Sequence, residues 1–350
     1  MKPAKETLAA LLLAILLIVG LNLLPSSLFA DESTFYKGKT ISFIVGFSPG
    51  GGHDTYTRLM AKHIKKYIPG NPSVIVQNMV GGGSLISANY LYNRAKPGLA
   101  IGRWASGLIR QQVLGRKEIE FDARKFGWLG APTQDHLVCA ITTASGFKSW
   151  KDVMNTSPDK PLIIGGIAPG ASLTDDPKLI QAALGFPMKL VQGYKGSADV
   201  RRAAEAGEVD GGCWGWASVK VTWKDALEAG KVKVLVQVMP KKHPDLPDVP
   251  LALEFAKTEE SRTLLNIAAS GGRLLRSYSM PPTTSKDALQ TMRKAFSSMM
   301  KDEAFLAQAN KAQLDINPLS GEEIKGLVDD LFKTPPDLVA KLKKLLLPKS

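Results

Sequence analysis

Apolar positions along this chain follow two periods, and the switches between them outline its organisation. The run Thr40-Ile41-Ser42-Phe43-Ile44-Val45 is β-branched and apolar enough for a buried strand. After a loop, Tyr56, Leu59, Met60, Ile64, Tyr67 and Ile68 recur at helical spacing and share one face. The unit repeats downstream as Val74-Ile75-Val76-Gln77, three glycines at 81–83, and a helix from Leu85. The same reading predicts strands over 99–104, 126–130, 136–141, 161–165, 188–191 and 232–238. It predicts helices over 149–154, from the glycine turn at 165–172 to Leu184, and over 198–206, 285–310, 320–333 and 335–347. Ser149 and Ser320 are placed as N-caps, and Ser320 with Glu323 spells a capping box. Four prolines in 240–250 argue for an irregular surface crossing.

Strands alternating with helices give the α/β class, with mixed, mostly parallel sheets flanked by helices. The repeated strand–glycine–helix unit points to two similar lobes. The expected division is a first lobe over 31–132, a second over 133–251, and a return to the first over 252–350 with C-terminal helices.

Residues 1–30 read differently. Lys2 and Lys5 precede an apolar run from Leu8 to Gly20, and Leu28-Phe29-Ala30 stands before Asp31-Glu32. That is the layout of a secretory signal cleaved after Ala30, with an uncleaved N-terminal anchor as the alternative because Leu28 suits the small position of the cleavage site poorly. No later segment approaches the length of a membrane span.

The glycine loops carry the candidate chemistry. Ser48-Pro49-Gly50-Gly51-Gly52-His53-Asp54 joins a strand to a helix that Asp54 is placed to cap. Backbone N–H groups at a helix start lack intrahelical partners, and the helix dipole adds positive charge, so such loops suit an anion. Similar loops end strands at 81–83, 165–170 and 193–196. Open α/β sheets bind ligands at these carboxyl ends of their strands.

Charge and cysteine content narrow the picture. The formal net charge is +13; Lys2, Lys5 and Glu6 account for one unit of it. In an exported chain with interspersed charges, that balance suits acidic small molecules better than nucleic acid. Cys139 and Cys213 lie in apolar strand-like contexts, nothing fixes their distance, and two unpaired thiols are expected. The scattered histidines have no zinc-ligand spacing, so no metal and no cofactor is expected.

Gly46-Phe47-Ser48-Pro49-Gly50 matches G-x-S-x-G, the nucleophile elbow of serine hydrolases. Chemistry opposes that reading: an oxyanion hole uses the N–H of the residue after the nucleophile, and Pro49 has none.

The segment from Lys39 to Asp54, with Arg58 behind it, resembles the opening of the Bug-type solute receptors of tripartite tricarboxylate transporters. Val76-Gln77-Asn78 before Gly81-Gly82-Gly83, Gly193-Tyr194-Lys195-Gly196-Ser197, Gly207-Glu208-Val209-Asp210-Gly211 and Leu246-Pro247-Asp248-Val249-Pro250 with Glu254 extend the resemblance over most of the chain. It implies a periplasmic, non-enzymatic, monomeric receptor with two lobes of the type II-like binding-protein fold. These would close on a small organic carboxylate and deliver it to a two-subunit membrane permease. A periplasmic subunit that reports its ligand to a signalling protein would share the same features.

Carried over by position, the ligand would meet Phe47, Ser48, Gly50, Gly51, Gly52, His53 and Asp54, then Gly83, Ser84 and Ser106 of the first lobe. From the second lobe it would meet Gly170, Ala171, Ser172, Tyr194, Lys195, Gly196 and Asp210. Two departures from the family pattern carry expectations. The shortened Pro97-Gly98 turn predicts a displaced loop at 104–106. Thr174-Asp175-Asp176, where a histidine is usual, predicts negative potential near the ligand.

Overall fold

The computed structural model describes residues 35–347, so the leader assigned to residues 1–30 lies outside them. Two sheets organise the chain. The first contains β1 (Thr40–Val45), β2 (Ser73–Asn78), β3 (Ala100–Arg103) and β4 (Gly127–Ala131). The second contains β5 (Leu137–Thr142), β6 (Leu162–Gly165), β7 (Met188–Val191), β8 (Gly211–Gly215) and β9 (Val232–Gln237). The chain then returns to the first with β10 (Tyr278–Met280) and β11 (Leu319–Ser320). The strand orders are β11-β4-β10-β3-β1-β2 and β7-β6-β8-β5-β9.

Both sheets are mixed. β1 runs parallel to β2 and β3, and β6 parallel to β7 and β8; β10, β11, β5 and β9 enter antiparallel. The parallel halves hold the glycine loops, because a parallel crossover puts successive loops at the same sheet edge. Register fixes this: Val45 lies opposite both Asn78 and Arg103, so three strand ends meet at one level.

β1 is apolar on both faces because both are covered. Ile41 and Phe43 pack with Tyr56, Met60 and Ile64 of the helix Gly52–Ile64. Ile44, on the other face, belongs with Leu91, Trp104 and Leu108 to a second core. Fully burying each such side chain contributes ~1.5–3 kcal/mol.

The second sheet has its own core, where Trp150, Leu179 and Ile180 meet Leu264, Leu265, Leu342 and Leu346. The helices Glu259–Leu274 and Pro336–Leu346 therefore pack with the second sheet, although both follow its last strand. The sequence pattern had given no element to 259–274.

The elements that the pattern does predict sit close to their expected bounds, whereas it gives no counterpart to the helices Gly107–Val113, Trp216–Thr222 and Lys224–Glu228 or to β8, β10 and β11. The helical stretch 285–310 divides into Lys286–Met299 and Glu303–Lys311, with Asp302 capping the second. Both expected serine caps form with reciprocal capping boxes.

The cysteines depart from expectation: Cys139 and Cys213 form a disulfide, with Cα atoms 4.0 Å apart. They are direct partners across the antiparallel β5–β8 pair. Which strands become neighbours, and in what register, is a tertiary property that local context does not encode. With 74 residues between the cysteines, the chain-entropy account gives the bridge roughly 4 kcal/mol of stabilisation.

Candidate functional site

Three helices begin at the cleft between the sheets, and none has a side-chain N-cap. Gly52–Ile64 starts after Gly51, Ser172–Leu184 after Ala171, and Ser197–Glu205 after Gly196. Their first residues Gly52, His53, Ser172, Leu173 and Ser197 line one small cavity together with Trp214, Gly215, Ser218, Leu275 and Arg276. Its volume is about 10 Å³, far below the ~300–1,000 Å³ of a small-molecule pocket.

The two lobes touch directly around it. The Ser48 N–H donates to the Lys195 carbonyl at 3.2 Å. A Cβ on Gly51 would lie 2.8 Å from Ser197 Oγ, one on Gly196 would run into Ser48 Oγ, and one on Gly52 would run into Ser218. Gly83 faces Ala168 and Pro169 in the same way. Bare glycine backbone thus allows the lobes to close to contact.

Asp54 is not the cap the sequence suggested. It sits in the first turn and reaches back, accepting from the Gly50 N–H at 3.0 Å, from Arg58 Nε at 2.8 Å and from Asn78 Nδ2 at 2.9 Å. Burial pushes its carboxyl up, but these donors hold it below the usual value. Asn78 also donates to the Phe47 carbonyl. Asp54 therefore braces the loop from behind.

Behind the cavity stands a buried cationic group that sequence reading missed. Arg103, 1% exposed at the end of β3, has no carboxylate partner among the described ion pairs. Its guanidinium donates to the carbonyls of Trp104 and Leu275, and to His53 Nδ1 at 2.8 Å. Burial lowers its pKa to about 9, so it stays charged at neutral pH. His53 stacks on Phe47 with ring centroids 4.2 Å apart. Burial, then Arg103 and Arg276, hold its pKa well below the usual value. His53 is therefore neutral, and the arginines carry the charge.

Arg276 forms a buried pair with Asp135 at 2.7 Å, its guanidinium 4.4 Å from the Tyr56 ring centroid. One cue was legible: Arg103 is a lone charge inside an otherwise apolar strand. Nothing local marks Arg276, Trp214 or Ser218, which the fold delivers from three separate places.

Other expected residues have different surroundings. Ser84 is buried with its Oγ accepting from the Ala105 N–H at 2.6 Å. Ser106 lines a separate cavity of about 200 Å³, with Arg110, Leu274 and Leu327. The Tyr194 hydroxyl meets Glu208 at 3.5 Å, and Lys195 is exposed. Asp210 accepts from the Ile163 N–H at 2.7 Å, at the start of β8, whereas Gly215 at its end lines the cleft. Gly170 donates its N–H to Asp175, which also accepts from Gln111. Asp176 is buried, and desolvation raises its pKa to about 7 although Arg110 pulls the other way. Asp175 and Asp176 are thus met in part by Gln111 and Arg110 of the first lobe, which offsets the negative potential expected here.

The G-x-S-x-G serine has no base on it: Ser48 Oγ makes no hydrogen bond among the described residues.

No family profile matches the chain. A UPF0065 protein from the tcbD–tcbE intergenic region of Pseudomonas sp. strain P51 is 22% identical over 240 residues, 68% of this chain and 69% of that protein. Among solved structures, MatC of Rhodopseudomonas palustris with bound malate has a TM-score of 0.68 at 18% identity, covering 88% of this chain and 99% of MatC. Rpa4515 of R. palustris with adipate has a TM-score of 0.70 at 18% identity, covering 88% of this chain and 98% of that one. The periplasmic binding protein BugD has a TM-score of 0.68 at 19% identity, covering 90% of this chain and all of BugD (100%). The two-lobed periplasmic-binding-protein fold is the fold of this chain, and the Bug-type resemblance read from its sequence is borne out.

Proposed function

We propose that the chain is a Bug-type periplasmic solute receptor that binds a small carboxylate between its lobes and hands it to a two-subunit membrane permease. One observation carries the reading: three helix starts without side-chain caps, drawn from both lobes, converge on one cavity beside two buried arginines. Free N–H donors, helix dipoles and guanidinium charge all favour an anion there. The malate and adipate bound by two proteins of this fold support a carboxylate as its chemical class.

The donors would be the backbone of Gly51 to His53 in the first lobe, and of Ser172, Leu173 and Ser197 in the second. A cavity of about 10 Å³ admits no carboxylate while the lobes touch. Uptake therefore requires hinge opening, and closure desolvates the contacts and strengthens them. No step breaks or forms a covalent bond.

Thermal unfolding of residues 31–350 with a panel of mono-, di- and tricarboxylates tests the proposal, with the corresponding amides as controls. A ligand at a hundred times its Kd adds about 2.7 kcal/mol, several degrees in Tm. A selective rise with one carboxylate class is expected. A flat panel on folded protein overturns the reading.

A further inference from the structure

Three side chains in the cavity wall carry unused donors. Trp214, Ser218 and Arg276 are 3%, 4% and 2% exposed, and all line the cavity. Yet Trp214 Nε1, Ser218 Oγ and Arg276 Nη1 have no hydrogen-bond partner among the described residues. A buried donor without a partner costs ~1–3 kcal/mol, and more when charged. Three around one cavity is a concentrated cost, and a fold would shed it unless the groups were used.

Arg276 is also fixed in place. Asp135 takes its Nε at 2.9 Å and its Nη2 at 2.7 Å, Tyr56 lies against its face, and Asp135 is itself held by the Ala217 N–H at 3.1 Å. That leaves Nη1 as a rigid donor that loses no rotamer freedom on binding. The charge balance is informative. Arg103 and Arg276 bring two positive charges and Asp135 one negative, so this buried cluster lacks one negative charge.

Resting on the receptor reading above, we infer that Arg276 Nη1, Trp214 Nε1 and Ser218 Oγ form a side-chain head-group subsite. It takes one singly charged carboxylate, opposite the backbone donors of Gly51 to His53. The two carboxylate oxygens share the guanidinium and indole donors, and Ser218 donates to one of them. A neutral amide of the same shape leaves the cluster's charge uncompensated and presents an N–H₂ group to these donors, so the subsite rejects it.

The test uses acetate as the head-group probe and acetamide as its neutral isostere, at equal ionic strength, on residues 31–350. Acetate should raise Tm in a saturable way and acetamide should not. Removing Arg276 would leave Asp135 buried and unpaired, so the informative variants are Ser218→Ala, which deletes only an unused donor, and Trp214→Phe, which also thins the packing on Trp223. Both should weaken acetate about tenfold, and Ser218→Ala should also hold or raise Tm without acetate, since an unpartnered group has been removed. A structural role for the Ser218 hydroxyl would lower the acetate-free Tm instead.

The subsite is overturned if acetate and acetamide act alike, or if both variants keep full acetate protection. Failure of the receptor reading looks different: acetate protects through these residues, but no larger carboxylate in the panel binds more tightly than acetate.

Discussion

Two sets of helix starts in this protein differ in their chemistry. At the periphery, Ser149, Thr258, Ser285, Asp302 and Ser320 each accept from the backbone N–H three residues on. At the cleft, the equivalent positions are Gly51, Ala171 and Gly196, which carry no side-chain acceptor. A side-chain cap contributes ~0.5–2 kcal/mol, and it does so by using an N–H that an anion would otherwise take. Five helices away from the cavity are thus capped by side chains, whereas the three whose first turns line it are not, a trait they share with starts elsewhere such as that of Pro336–Leu346.

Acidic residues near the starts follow their own partners: Asp54, after the uncapped Gly51, is held low against burial by Arg58, Gly50 and Asn78. Asp152 and Glu323, at capped starts, are held below the usual carboxylate range, by the Lys148 and Ser320 backbone N–H groups in particular. Asp175 and Asp176, after the uncapped Ala171, are raised by burial.

The largest test of this contrast is Gly52→Val. Its Cβ would run into Ser218 and stand 3.1 Å from Arg276 Nη2. We expect at least a ~100-fold loss of carboxylate affinity with the circular dichroism spectrum retained. Wild-type affinity would remove the Gly52 helix start from the site.

Asp176→Asn comes next. A carboxyl whose pKa rises to about 7 on folding binds its proton more tightly in the folded chain. Its contribution to stability is full below the unfolded value of ~4 and is lost as pH rises through about 7. Tm should therefore fall by several degrees between roughly pH 5 and pH 8 in the wild type, and clearly less in the variant. Equal slopes would mean that Asp176 is solvated.

Ser320→Ala probes the peripheral set. It should cost about 1 kcal/mol of stability and leave carboxylate affinity unchanged by calorimetry. The smallest effect is expected from Ala171→Ser, which converts a cleft start to a capped one. The new hydroxyl should add ~0.5 kcal/mol of stability while lowering affinity a few-fold. A rise in both would erase the distinction between the two sets.

Much of this was legible locally. The strand–glycine–helix units, the Ser149 and Ser320 caps and the position of the first glycine loop follow from periodicity and side-chain chemistry, which act over a few residues. The helix Glu259–Leu274 was missed, although its apolar face buries Leu264, Leu265 and Ala268 and Thr258 marks its start. Tyr194 and Asp210 were drawn to the ligand by resemblance, yet their polar atoms meet Glu208 and Ile163. A motif places a backbone segment; it does not say where a hydroxyl or carboxylate turns once neighbours compete for it.

The sequence by itself determined the alternation of elements, the glycine backbone at the strand ends and the absence of capping oxygens at three helix starts. Tertiary structure alone decided that those starts face one another, that Cys139 meets Cys213, and that Trp214, Ser218 and Arg276 line one cavity with Arg103 behind its His53. Propensity and capping are energies of neighbours along the chain. Strand order, register and the burial of a guanidinium with no ion-pair partner of its own among the described residues are energies of segments that meet only after the chain has folded.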